Sequence, residues 1–220
     1  MKIVITMLNS KYIHSSLAPW YLLSGVRAYC DAEIQAEVTE ATVNENISNI
    51  VSRLSEKNAD IYAFCCYIWN IDCVKKIAEE IKRQTGAVIV LGGPEVSYNA
   101  DEILKNNCFV DFVLSGEGDE SFASLCNCIY KNGDFSSVNG LCYRKDNKII
   151  ISEPVVSDKE PLSPYCDDYF NSLHGRIAYI EASRGCPFSC AFCLSGRCKG
   201  LVLFDIERVK REILLLAKSG

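Results

Sequence analysis

The sequence lacks two features that would tie it to a membrane or to nucleic acid: a long apolar run and an excess of basic residues. No apolar segment approaches the roughly 20 residues that a membrane-spanning helix needs. Lysine and arginine number 23 against 28 aspartate and glutamate, which gives a net charge of −5. Because nucleic acids and anionic membranes attract basic surfaces, we expect neither as a partner.

The N-terminal residues lack the pattern of a secretion signal. They contain one early lysine, Lys2, and a short apolar run that a turn interrupts before any small-residue cleavage site. The pattern predicts a first β-strand instead, and we expect a cytoplasmic protein.

Cysteine, in contrast, is abundant, with 13 residues in the chain. The odd number and the long regular segments favour a reducing compartment over a disulfide scaffold, and they suggest an anaerobic cell. Cys65 and Cys66 lie in an apolar run, and Cys126 and Cys128 lie on a predicted helix. We therefore expect these four to be buried thiols.

Residues 1–135 alternate short apolar runs with amphipathic stretches, in a βα pattern that repeats five times. This pattern predicts an α/β fold with a flavodoxin-like or Rossmann-like, doubly wound parallel sheet. Five strands in the order 2-1-3-4-5 are the simplest arrangement. The runs DIYAFCCYIW and AVIVLGG are typical of central strands that are buried on both faces.

The pattern changes after this first domain. Residues 136–175 predict a hairpin that turns at Asp146 and Asn147, followed by an extended connector that contains prolines. Residues 176–220 predict a strand, a cysteine-containing loop and a helix that begins at Asp205. We therefore expect three parts in the chain.

Four predicted strand ends have unusual sequences: LNS, YIWN, GGPE and SGEGDE. Ligands bind at the carboxyl ends of strands in doubly wound sheets, and glycine backbone lets a large, flat ligand approach. The G-x-G-x-x-G and P-loop patterns are both missing, so a nucleotide is not the first choice, and tight turns without a ligand remain the alternative. The candidate cofactor-binding residues are Asn9, Ser10, Tyr67, Ile68, Trp69, Gly92, Gly93, Pro94, Glu95, Gly116, Glu117 and Gly118.

A second candidate site is the loop that contains Cys186, Cys190 and Cys193. Zinc sites usually use four ligands in two separated pairs, although the nearby Cys198 leaves a compact four-cysteine site open. Three thiolates from one loop can instead hold three irons of a [4Fe–4S] cluster and leave the fourth iron open for chemistry.

The segment GCPFSCAFC, between a predicted strand and a predicted helix, resembles the cluster loop of radical S-adenosylmethionine (radical SAM) enzymes, C-x-x-x-C-x-aromatic-C, with Phe192 as the aromatic residue. The segments GGPE, DFVLSGEGDESF and NGLCYR resemble the cobalamin-binding domain that precedes the barrel in one large radical SAM class. That class includes the anaerobic magnesium-protoporphyrin IX monomethyl ester cyclase. The likeness covers nearly the whole chain.

The resemblance implies a role for each candidate site. Cys186, Cys190 and Cys193 would ligate a [4Fe–4S] cluster, and the open iron would bind S-adenosylmethionine, whose cleavage gives a 5′-deoxyadenosyl radical. The backbone of Phe192 would approach the adenine, and the strand ends with Tyr67–Trp69 would hold cobalamin. A small organic substrate would undergo methyl transfer, cyclisation or rearrangement.

The sequence departs from the family pattern in two places. The D-x-H-x-x-G motif, whose histidine ligates cobalt in methionine-synthase-like domains, is absent, and His14 is interpreted as a surface or hydrogen-bonded residue. The barrel would need roughly six βα units, and only the first is present. The resemblance therefore predicts a truncated chain that is inactive alone and whose cysteine loop can be empty.

Two other functions remain open. The chain could be a ligand-binding module in which the cysteines hold a structural zinc. It could also be a methylthiotransferase, a class that carries three further cysteine ligands in its N-terminal domain, but Cys30, Cys65 and Cys108 do not obviously face one site. The sequence predicts neither the substrate nor the oligomeric state.

Overall fold

The structure is a computed structural model that describes residues 1–154, 156–194 and 200–219. Within these described ranges, seven strands form one large sheet and two form a separate antiparallel pair. They are β1 (Lys2–Asn9), β2 (Gln35–Thr42), β3 (Ile61–Cys65), β4 (Val88–Gly92), β5 (Phe112–Leu114), β6 (Leu141–Lys145), β7 (Lys148–Ile151), β8 (Ser183–Cys186) and β9 (Gly200–Leu203).

Most of the helices connect the strands. They are α1 (Ala18–Tyr29), α2 (Ile47–Ser55), α3 (Ile71–Thr85), α4 (Pro94–Ser97), α5 (Ala100–Asn106), α6 (Asp119–Lys131), α7 (Asp167–Ser172) and α8 (Ile206–Lys218), with a 3₁₀ turn at Phe135–Ser137. Among the residues described, no helix is both long enough and apolar enough to cross a lipid bilayer.

The first five strands confirm the predicted sheet. They are parallel and lie in the order β2-β1-β3-β4-β5. The predicted hairpin forms β6 and β7, and both central residues of its turn are left-handed, with φ of 49° at Asp146 and 59° at Asn147. The sequence did not predict that β6 pairs antiparallel with β5, which extends the sheet to seven strands.

Apolar side chains on both faces of the sheet form the core, because alternate residues of a strand point to opposite faces. Val4 and Leu8 of β1 lie on the side of α2, α3 and α5, whereas Ile3, Ile5 and Met7 lie on the side of α1 and α6. All five residues of β3 are buried, as the continuous apolar run predicts.

The helix ends follow local sequence. Gly86 ends α3 in the left-handed conformation with φ of 71°, as predicted, and Asn132 ends α6 with φ of 51°. The carboxylate of Asp205 accepts a hydrogen bond of 2.9 Å from the Arg208 backbone, so the predicted start of α8 is confirmed.

The strand predicted at the start of the third part is shorter than expected. Regular pairing is confined to β8, which is antiparallel to β9, and only Ile177 forms an isolated bridge, to His14. Between them, the Tyr179 side chain bonds His14 of the first domain, a contact that local periodicity does not predict. The sequence also did not predict α4, α7 or β9.

The predicted buried thiols are largely confirmed. Cys65, Cys66 and Cys126 are at most 5% exposed, and burial raises the pKa of Cys65 to about 12. Cys128 is a correction, because it is only half-buried, on the last turn of α6, where its thiol faces the carbonyl of Asp134.

Candidate functional site

A cavity of about 1180 Å³ opens at the carboxyl ends of β1, β3, β4 and β5. It exceeds the range of about 300–1,000 Å³ that is typical of small-molecule sites, so it has room for a larger ligand. Its floor is apolar and includes Met7, Ala63, Val90, Leu114 and Phe122. The predicted residues that line it are Asn9, Ser10, Tyr67, Trp69, Gly92, Gly93, Pro94, Gly116, Glu117 and Gly118.

Two of the residues predicted to hold cobalamin do not line the cavity. Ile68 is 78% exposed on the outer side of its turn, and Glu95 lies on the first turn of α4. The structure does not bring these two side chains to the site that the other predicted residues share. Phe192 is 94% exposed in the cysteine loop, and the approach of its backbone to the adenine stays a prediction.

The buried side chain of Asn70 holds the aromatic wall of the cavity. Its amide nitrogen donates to the carbonyls of Leu8 at 3.1 Å and Cys65 at 3.0 Å, and its oxygen accepts from the Tyr67 amide at 2.8 Å. The Tyr67 and Trp69 rings stack with centroids 4.5 Å apart. Asn70 thus fixes the ends of two adjacent strands and the turn that carries the stack.

The glycines at the strand ends are needed for close packing. Gly93 has φ of 113°, and a Cβ there would lie 2.5 Å from the Cys66 carbonyl oxygen. Gly116 has φ of 86°, and its Cβ would lie 2.6 Å from Pro154. Both conformations favour glycine, and both leave bare backbone at the cavity wall.

One side of the cavity is charged. Arg184 donates to Asp119 at 2.6 and 3.3 Å and to Glu181 at 3.1 Å, and its guanidinium lies 4.4 Å from the centre of the Tyr21 ring. Burial would lower the pKa of this guanidinium, but hydrogen bonds to Asp119 and Glu181 raise it overall. Burial raises the pKa of Glu117, which Arg184 only partly offsets at 4.0 Å.

Sequence reasoning missed most of this charged group. Glu117 was predicted as a contact, but Asp119, Glu181, Arg184 and Tyr21 were not. The acidic run GEGDE and the arginine before the cysteine loop were visible, but only the fold places them together.

A second contact joins the third part of the chain to Glu40 of β2, next to the end of β1. Arg176 donates to Glu40 at 2.7 and 2.8 Å, and Asn9 donates to the same carboxylate at 2.9 Å. Nearby, Nδ1 of His14 and the Tyr179 hydroxyl form a hydrogen bond of 2.7 Å at the cavity. His14 is therefore hydrogen-bonded, as its interpretation from sequence predicts.

Cys186, Cys190 and Cys193 do not line the cavity, although Arg184, two residues before Cys186, does. Cys186 ends β8, Cys190 is exposed, and the Cys193 amide donates to the Cys190 carbonyl at 3.1 Å. Within the described parts of the chain, no three His, Cys, Asp or Glu side chains are arranged to hold a metal ion. The three ligand assignments stay predictions, and Cys198 lies outside the described residues.

The methylthiotransferase hypothesis would need three further cysteines of the first domain to lie together. Cys30 follows α1, Cys65 ends β3 and Cys108 is exposed beyond α5. They do not form a three-cysteine site in the described structure.

The parallel strand order, the glycine turns and the cavity at the strand ends define a doubly wound ligand-binding domain. The B12-binding domain family matches residues 3–126, more than half of the chain. The chain belongs to this family.

Known proteins are similar to the chain over a longer stretch. A 2-(S-pantetheinyl)-carbapenam-3-carboxylate methyltransferase of Streptantibioticus cattleyicolor is 31% identical in an alignment of 172 residues that covers 70% of this chain and 25% of the relative. The anaerobic magnesium-protoporphyrin IX monomethyl ester cyclase of Rubrivivax gelatinosus is 25% identical in an alignment of 212 residues that covers 90% of this chain and 38% of the relative.

A solved structure shows the same fold. The cobalamin-dependent S-adenosylmethionine radical enzyme OxsB, determined with aqua-cobalamin and S-adenosylmethionine bound, superposes on the whole chain with a TM-score of 0.85. The identity is 17%, and the match covers 32% of OxsB. The resemblance predicted from sequence is confirmed: this is a B12-binding domain whose relatives are cobalamin-dependent radical SAM enzymes. The chain spans less than half the length of each of these relatives.

Proposed function

We propose that this chain is the cobalamin-binding part of a radical SAM enzyme that modifies a small organic molecule, with methyl transfer as the first choice and cyclisation or rearrangement as alternatives. The observation that carries the proposal is the large cavity over the strand ends of a B12-binding domain. Methyltransferases among the relatives support the choice of reaction.

The cavity residues fit cobalamin. The floor is apolar, the strand ends expose backbone without side chains, and the Tyr67–Trp69 stack offers a flat wall. The cofactor would rest on these surfaces, with Asn9, Ser10 and Glu117 as polar contacts. His14 bonds the Tyr179 hydroxyl through Nδ1 at 2.7 Å, and this contact would hold its ring at the cavity wall.

The cysteine loop fits a [4Fe–4S] cluster in its donor set. Cys186, Cys190 and Cys193 supply three thiols within eight residues, and such a set leaves one iron open. Bound to these thiols, a reduced cluster would supply the electron for the cleavage of S-adenosylmethionine, and cobalamin in the cavity would supply a methyl carrier. The Phe192 backbone would contact the adenine.

The protein's own residues would position these groups and exclude water. Asn70 fixes the aromatic wall. Arg176 holds the loop after β1 by donating to the His14 carbonyl at 2.6 Å, and its buried pair with Glu40, with side chains about a tenth exposed, joins it to β2. A cytoplasmic location is part of the proposal, because buried, unoxidised thiols such as Cys66 suit a reducing compartment.

Titration with hydroxocobalamin tests the cavity. Adjacent residues of one turn give a matched pair, because Tyr67 lines the cavity and Ile68 points to solvent. We expect Tyr67→Ala to weaken binding about tenfold or more, from loss of aromatic contact and of the stack, and Ile68→Ala to bind as the parent does. A parent chain that gives no spectral change with hydroxocobalamin would refute cobalamin binding.

Anaerobic reconstitution with iron and sulfide tests the cysteine loop. The parent should take up iron with the broad visible absorption of such clusters, and Cys190→Ala should abolish it. Cys108→Ala is the control, because Cys108 is an exposed cysteine of the first domain. A parent chain that takes up zinc but no cluster would contradict the radical SAM assignment and leave the binding-module alternative.

A further inference from the structure

We propose that Arg184 is a positioning residue that holds the cysteine loop against the cobalamin cavity. Arg184 lies on β8, two residues before Cys186, and joins this strand to the first turn of α6. This inference rests on the proposed function, because it gives the cysteine loop and the cavity their roles.

The contacts of Arg184 connect two parts of the chain that are distant in sequence. Its side chain is 15% exposed and bonds both oxygens of Asp119, 65 residues earlier, in a two-point geometry. Its Nε donates to Glu181, and Tyr21 of α1 covers the guanidinium face. Three groups thus fix the plane and direction of one side chain, as a fork-shaped donor allows and a lysine does not.

Asp119, the partner of Arg184 in the first domain, is held in a rigid position. Asp119 is the first residue of α6, where a carboxylate is favoured by the helix dipole. A Cβ on Gly25 would lie 2.0 Å from the Asp119 carbonyl oxygen, so α1 and α6 are in direct backbone contact at this point. The carboxylate therefore has a position that the first domain determines.

The path from Arg184 to Cys186 is short and constrained. Only Gly185 lies between them, with φ of 82° and a hypothetical Cβ 2.2 Å from the Gly200 carbonyl oxygen. Arg184, Gly185 and Cys186 pair with consecutive residues of β9. Two residues span at most about 7 Å, so fixing Arg184 restricts where the first predicted cluster ligand can lie.

The electrostatics favour the same arrangement. Glu117, Asp119 and Glu181 all lie within 4.0 Å of one guanidinium, at the edge of the cavity. Without Arg184, three carboxylates would face one another in a partly buried site, and the segment before the cysteines would be repelled from α6. A neutral side chain at position 184 thus both removes the anchor and creates repulsion.

Hydrogen exchange of the full chain without added cofactor tests the anchor. We expect Arg184→Gln to speed exchange in residues 183–194 about tenfold or more, the effect of losing charge-assisted hydrogen bonds, and to leave α3 unchanged. Asp119→Asn should give a similar change, and the double variant should be no worse than either one. Exchange in Arg184→Lys should be intermediate between the parent and Arg184→Gln. Arg27→Gln, which removes an exposed ion pair to Asp168, should exchange at the same rate as the parent.

Iron uptake and hydroxocobalamin titration separate this inference from the proposed function. Arg184→Gln should hold less than half of the iron of the parent after reconstitution, with partial rescue in Arg184→Lys. The Arg184 proposal is wrong if Arg184→Gln changes the exchange rate of residues 183–194 by less than twofold, or if the effects of Arg184→Gln and Asp119→Asn add in the double variant. This holds even where the parent binds cobalamin. If the parent binds no cobalamin but exchange responds as expected, the anchor stands and the proposed function fails. Should Arg184→Gln not fold, Asp119→Asn and Arg184→Lys decide the question.

Discussion

Asn70→Ala should destabilise the protein more than any change of an exposed asparagine, because Asn70 is 1% exposed and makes three hydrogen bonds. Each such bond contributes about 0.5–1.5 kcal/mol net, and unpaired buried groups cost more. Summed over three bonds, the expected loss is about 3 kcal/mol. The loss should also weaken hydroxocobalamin binding, because the Tyr67 amide loses its partner and the aromatic wall is released.

Urea unfolding followed by circular dichroism measures the effect. With a slope of about 3 kcal/mol/M, a loss of about 3 kcal/mol lowers the midpoint by about 1 M. The matched control is Asn44→Ala, because the exposed Asn44 donates one bond of 3.1 Å to the carbonyl of Ser10, on the neighbouring loop. It should change the stability by less than about 1 kcal/mol. A loss below about 1 kcal/mol for Asn70→Ala would refute the view that this side chain holds the strand ends together.

Three further predictions follow from single residues. Gly93→Ala should lower the free energy of unfolding by about 2 kcal/mol or more, because the new Cβ would overlap the Cys66 carbonyl. Gly86 is also left-handed but faces open space, so Gly86→Ala should lower it by about 1 kcal/mol. Urea midpoints of the two variants measure the difference. The pKa of Glu117 is raised in the folded protein, so its contribution to stability is greatest below its ordinary pKa and is lost as pH rises through the folded value. Glu117→Gln should remove this pH-dependent loss of stability. Equal slopes of unfolding free energy against pH in the parent and the variant would contradict the prediction. Cys65, with its pKa raised to about 12, should resist iodoacetamide at pH 8, whereas the exposed Cys108 should react within minutes. Mass spectrometry of the labelled peptides measures both reactions. Equal labelling of the two cysteines would disprove the burial of Cys65.

Much of the fold could be predicted because it depends on local patterns. Continuous apolar runs indicated β3 and β4, helical periodicity indicated α2 and α3, and Gly86 and Asp205 gave helix ends. The right-handed βα connection then left few possible strand orders, and the predicted one is correct. The addition of β6 to the sheet was not predictable, because the edge of β5 that it covers is defined only after the sheet has formed.

The candidate site was predictable to a smaller extent. Strand ends converge in any doubly wound sheet, so the glycine and aromatic residues after each strand were found in one cavity. Ile68 was not excluded in advance, because the direction of a side chain within a turn depends on the turn's geometry, here fixed by Asn70.

The sequence by itself determined the family resemblance, the strand order and the two candidate sites, because each depends on residue types at short spacing. Only the tertiary structure decided which distant charges meet. Arg176 pairs with Glu40 across 136 residues and Arg184 with Asp119 across 65. No local pattern encodes such pairs, since the chain must first bring their backbones together before a guanidinium and a carboxylate can bond.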